Sequence, residues 1–108
     1  ITSVSLHLKK PIHAVTLTLF LEVLAETLGS DLIRIKGLVF IKEAKETPAI
    51  VHGVQHVFHA ISWHENWPEN RQETQLVLIG RDLSLQWVEA LLLTIEEEVD
   101  EMTRHNSH

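Results

Sequence analysis

The chain reads as an α+β fold, a two-layer sandwich in which two helices cover one face of a four-stranded sheet in the order β-α-β-β-β-α. Three observations lead there. Residues 2–9, 32–42 and 74–81 are β-branched or apolar runs, two of which alternate inside and outside at a period of two. Two other segments place leucines at helical spacing. The two helical segments sit after the first strand and after the last, so both can pack on one side of a single sheet.

Each element has its own justification. In the first strand Val4, Leu6 and Leu8 alternate with Ser3, Ser5 and His7. Lys9, Lys10 and Pro11 end it, because proline cannot continue a ladder and restricts the residue before it. Leu17, Phe20, Leu21, Leu24 and Leu28 then form a helical stripe opposite Thr18, Glu22 and Glu26, and Gly29 is placed to end that helix with a positive φ. From residue 32 to 42, Ile33, Ile35, Gly37, Val39 and Ile41 share an apolar face, while Arg34, Lys36, Leu38, Phe40 and Lys42 share the other. Residues 43–48 make a polar connection. Residues 49–61 read as one further long strand, with Gly53 as a bulge or a point of close backbone approach. Residues 62–73 form a loop carrying Trp63, Trp67 and Pro68, of a length that is usually functional. The strand over 74–81 precedes Ser84, an N-cap for a helix whose stripe is Val88, Leu91, Leu92, Ile95 and Val99. The first strand returns through a helix and so runs parallel to the second, and the last three strands can form an antiparallel meander. Residues 1–102 constitute the domain, and 103–108 a frayed acidic and histidine-bearing tail.

Composition narrows the function classes. With 108 residues, 44 % hydrophobic and 22 % charged, the chain is a globular domain able to bury a core without staples. It has no cysteine, which removes disulfides and thiolate metal sites and fits a cytoplasmic protein. A net charge of −6 argues against nucleic-acid partners, and no stretch approaches the roughly 20 apolar residues of a membrane span. Much of the negative charge lies late, in Glu96, Glu97, Glu98, Asp100 and Glu101, which read as a solvated helix face. No nucleophile motif is present, nor any Gly-x-x-x-x-Gly-Lys-Ser/Thr loop that could cradle phosphates.

In order and spacing, several motifs resemble the C-terminal domain of the CobW family. They are Arg34-x-Lys36-Gly37, Gly53-Val54-Gln55, Trp67-Pro68, and Leu76-Val77-x-Ile79-Gly80 followed by Arg81, Asp82 and Leu83. The resemblance extends from about residue 3 to residue 95. One departure stands before the last strand, where relatives carry several basic residues and this chain has Arg71 beside Gln72, Glu73 and Gln75. The resemblance implies a longer parent, a GTP-hydrolysing metallochaperone acting in cobalamin synthesis or in zinc or cobalt delivery. Its GTP, Mg and Zn or Co would be bound outside this chain, which is expected to hold no cofactor and to be no enzyme by itself. The opening of the chain on a strand without an initiator methionine fits a piece of such a parent. The implied role is regulation and interaction. The domain would dock on its own N-terminal GTPase domain, a client metalloprotein or a second copy, using Arg34, Lys36, Leu38, Phe40, Trp63, Trp67, Arg71 and Arg81.

The competing chemistry is a stand-alone metal-binding module, suggested by eight histidines, four of which (His52, His56, His59 and His64) lie close in sequence. On one straight strand at roughly 3.3 Å per residue, His52 and His56 would share a face about 13 Å apart. His59 would then point to the opposite face, so a shared site needs a cross-strand partner such as His7, or His64 folding back. Arg34 and Lys36 can equally be a solvated strand edge, or form salt bridges to Glu43 or Glu73, and each loop tryptophan can be either a lid on the core or a contact for a partner.

Overall fold

Strand β1 (Thr2–Leu8) leads through α1 (Ala14–Leu28) to β2 (Leu32–Ile41) and β3 (Ala44–Val54), and two short strands follow, β4 (Val57–Phe58) and β5 (Ser62–Trp63). Strand β6 (Thr74–Gly80) and the long helix α2 (Leu85–His105) complete the order in this computed structural model, which describes residues 1–55 and 57–105. All the strands join one sheet in the order β1-β6-β2-β3-β4, with β5 also pairing β3. The architecture is therefore the expected α+β pair of layers, with six strands among the described residues where four were expected.

Two differences from the sequence expectation have physical causes. The last strand does not extend a meander. It inserts between β1 and β2, antiparallel to both. Its run Leu76-Val77-Leu78-Ile79 is apolar on both faces, as suits a strand with neighbours on both edges, and Leu76 and Leu78 are fully buried. Strands β1 and β2 are thus parallel in direction but never touch. Residues 49–61 are also not one strand. The strand begins earlier, at Ala44, after a tight turn at Lys42 and Glu43, and ends at Val54, where Gln55 takes a positive φ of 50°. The chain then doubles back, pairing Gly53 with Phe58. Gly53 is no bulge: a Cβ there would strike the Phe58 ring. The register shifts lie instead in β2, between Leu32 and Arg34 and between Val39 and Ile41. The first puts Leu32 in the core and leaves Ile33 half-buried, where strict alternation would have buried Ile33.

Both helices lie on one face. Leu17, Phe20, Leu21 and Leu24 of α1 and Val88 and Leu92 of α2 meet Leu6, Ile35, Val51, Leu76 and Leu78 of the sheet, Leu91 and Ile95 pack at the border, and Val99 is buried further along α2. Burying each such side chain is worth about 1.5–3 kcal/mol. Ser84 caps α2 through its hydroxyl oxygen, which accepts the Trp87 N–H at 3.2 Å. Thr103 to His105 continue that helix, and the remainder of the expected tail, 106–108, lies outside the described residues. No described helix is long and apolar enough to cross a membrane.

Gly37 is where the sheet admits no side chain. A Cβ added there would fall on the Gln75 carbonyl oxygen and stand 2.8 Å from the Leu76 Cα, both backbone atoms of the neighbouring β6. Gly37→Ala must push β2 away from β6. We expect it to cost about 2 kcal/mol or more, lowering the thermal midpoint by roughly 8 °C or more in calorimetry.

Candidate functional site

Ladder pairing fixes what the uncovered sheet face carries, because directly paired residues share a face. One row runs Ser3, Ile79, Arg34, Val54, the next Ser5, Val77, Lys36, His52, and a third His7, Gln75, Leu38, Ile50. Arg34, Lys36, Gly37, Gln75, Val77 and Ile79 line a shallow hollow of ≈ 430 Å³. Val77 is 40 % and Val54 45 % exposed, and among the described residues neither Arg34 nor Lys36 forms an ion pair. This face therefore offers apolar area flanked by two cations.

The other sequence-predicted contacts divide. Leu38 sits half-buried beside the same hollow's Gln75. Phe40 and Trp67 spend their surface on each other, with ring centroids 5.5 Å apart at 83°. The Trp67 indole N–H donates to the Lys45 carbonyl at 2.9 Å, and the side chain is buried. Trp63, on β5 against Ala49, is half exposed. Arg71 is exposed beyond the short turn at Pro68–Asn70. Arg81 stands away from the hollow, donating to the Ser30 carbonyl at 3.1 Å and facing Asp31 at 3.8 Å, where it closes the end of the sheet.

The histidines divide too. The turn after Val54 brings His59 back beside His52, with rings stacked at 4.9 Å, so the opposite-face placement expected for a straight strand does not hold. His64 accepts the Glu65 N–H through Nδ1 at 2.9 Å, and His56 lies outside the described residues. Among the described residues these histidines assemble no group of three metal-capable side chains.

A different group does assemble. His13, Glu96 and Asp100 offer ligand atoms all within 4.8 Å of one another. Helix α1 begins at His13 with no capping side chain of its own and no acid in its first turn, so its free N–H groups look elsewhere for acceptors. Glu96, from α2, accepts the His13 N–H at 2.9 Å and the Thr16 hydroxyl at 2.8 Å on one oxygen, and faces His13 Nδ1 at 2.9 Å with the other. Glu43 accepts the Ala14 N–H at 2.9 Å. Two carboxylates remote in sequence thus cap α1 and complement its dipole. The chain reaches this point because Ile12 bridges the end of β2, its N–H donating to the Phe40 carbonyl at 3.0 Å.

Sequence reasoning placed Glu96 and Asp100 on the wet side of α2. Glu96 is in fact turned into the seam between the helices, its side chain 18 % exposed. The signal was present: Glu96 stands four residues after Leu92 and three before Val99, on the border of the buried stripe. Removing the carboxylate in Glu96→Ala should cost about 1.5–3 kcal/mol, and Thr16→Val about 1 kcal/mol. In urea unfolding the double variant should lose less than the sum, because both changes delete one shared bond.

Comparison with known proteins agrees with the fold. The family model described as the cobalamin synthesis protein cobW C-terminal domain matches residues 1–96. Among solved structures, the Zn(II)-bound YjiA GTPase from E. coli superposes with a TM-score of 0.76 at 21 % identity, over 87 % of this chain and 29 % of that one. A Zn(II)-bound triple mutant of the YjiA GTPase gives 0.77 at 21 % identity, over 88 % and 29 %. The chain therefore spans less than a third of the length of the solved proteins it matches.

Proposed function

The chain belongs to the cobW C-terminal domain family, and on that footing we propose that it is the regulatory and docking domain of a larger, GTP-dependent metal chaperone. The observation that carries the reading is the uncovered sheet face, where Val77, Ile79 and Val54 lie beside Arg34 and Lys36 with no helix over them. An apolar face of this kind suits burial against another domain better than water. The occupant we favour is the parent's own GTPase domain, since the matched solved proteins, GTPases by name, are more than three times as long as the stretch aligned here. The two cations, set in a chain of net charge −6, call for an acidic border on that partner.

In this reading the parent binds GTP and Mg, carries zinc or cobalt, and works in the cytoplasm. The nucleotide state changes how tightly the sheet face is held, and so whether metal passes to a client. The GTPase domain supplies the chemistry of hydrolysis in this reading, and this domain contributes a surface. Among the described residues, no specific observation favours the alternative of a free-standing module built on His52, His56, His59 and His64.

Two variants test the docking. Lys36→Glu and Val77→Asp both project from the open face and leave the core untouched, so the fold should survive with a thermal midpoint near that of the parent sequence. Each should weaken binding of this domain to the separately produced GTPase domain by about tenfold, equivalent to about 1.4 kcal/mol, in calorimetry. Unchanged affinity in both would remove the sheet face as the docking surface.

A further inference from the structure

We infer that His13 Nε2 and the Asp100 carboxylate form a seat for a zinc(II)-like divalent cation at the seam of α1 and α2, with Glu96 as the positioning residue. The site lies in the helix layer, on the side of the sheet away from the docking face, and does not depend on the reading of that face.

The argument begins with the tautomer. His13 Nδ1 lies 2.9 Å from Glu96 Oε2 and 3.2 Å from Oε1. A carboxylate oxygen accepts hydrogen bonds, so Nδ1 is the nitrogen that donates, and in the neutral imidazole Nε2 is then the one that offers a lone pair. A carboxylate bound to the far nitrogen of an imidazole is the arrangement that orients histidine ligands toward metals and raises their basicity. The ring cannot turn away easily: its side chain is 6 % exposed, and the same carboxylate also holds the His13 N–H.

Nε2 then needs a partner, and what it faces is Asp100 Oδ1 at 4.0 Å. That is too long for a hydrogen bond. It is close to the largest separation, about 4.2 Å, of two ligands each bound at roughly 2.0–2.2 Å to one zinc ion. The Asp100 side chain is 33 % exposed and free to close the remaining distance to a tetrahedral angle. Beside it opens a hollow of ≈ 390 Å³ in which Glu96, Glu97 and Asp100 face Lys10, Lys42 and an apolar wall, and it leaves room for water to complete the coordination. One imidazole and one carboxylate select borderline ions such as zinc(II) or cobalt(II) over magnesium.

Asp100 already attracts cations. Lys42 Nζ stands 3.5 Å from one oxygen and Arg104 3.4 Å from the other. Both partners are substantially exposed, with side-chain values of 48 % and 74 %, so these pairs are weak and a divalent ion can displace Lys42.

The test is a zinc sulfate titration of the whole chain, followed through the imidazole ¹⁵N resonances. Before metal, His13 should show the Nδ1-protonated tautomer. Zinc should move its Nε2 resonance while Nδ1 keeps its proton. Asp100→Asn should weaken the His13 response about tenfold or more, and Glu96→Gln should do the same while mixing the tautomers. Lys42→Ala should tighten it, because a competing cation is gone. Asp100 and Lys42 are exposed enough that both variants keep the fold. Zinc shifts confined to other histidines, an Nε2-protonated His13, or an Asp100→Asn affinity equal to that of the unaltered chain would each overturn the site.

Discussion

The close approach of β2 to β6 at Gly37 is the constraint on which the rest of the structure depends. Because no side chain stands there, β6 can lie between β1 and β2 and pair with both. That insertion makes one continuous sheet that includes two parallel strands which do not pair with each other. It also fixes the two faces. Leu76 and Leu78 point to the helices, and Val77 and Ile79 necessarily point away. The exposed apolar face is thus a consequence of the same strand that completes the core.

The helix layer is held to this sheet by packing and, at one end, by a charge. Helix α1 starts on a histidine without a cap, and α2 lends it Glu96. The carboxylate thereby ties the first crossover of the chain to its last element, positions eighty-three residues apart. Such a bond resists sliding of the two helices, because a shift would strand the His13 N–H and the Thr16 hydroxyl without an acceptor. It also fixes the ring of His13, and with it the direction of the one imidazole nitrogen left over.

Much of this was legible in the sequence, and what was not has a common cause. The helix stripes at Leu17–Leu24 and Val88–Val99, the alternation in β1, the cap at Ser84 and the two-layer class follow from local periodicity, which the structure keeps. Strand order does not follow from periodicity, since an apolar run such as Leu76-Val77-Leu78-Ile79 marks a central strand without naming its neighbours. The hairpin after Val54 was hidden because Gln55 carries no turn residue's signature, yet adopts a positive φ. Arg34, Lys36 and Leu38 were placed correctly by alternation alone. Phe40 and Trp67 were not seen to be partners, as their contact joins a strand to a loop far along the chain. The seam of His13, Glu96 and Asp100 escaped for the same reason: a helix that borrows its cap shows the need at one end of the sequence and the supply at the other.

The proposed docking turns on which layer of the sandwich meets the GTPase domain we propose for a longer parent. The direct measurement is methyl NMR of this chain as that domain is added. The account predicts that the methyl resonances of Val77, Ile79, Val54 and Leu38 move or broaden, while those of Val15, Leu19 and Leu93 on the outer surface of the helices stay in place. Movement of the helix methyls with the sheet-face methyls unchanged would contradict it.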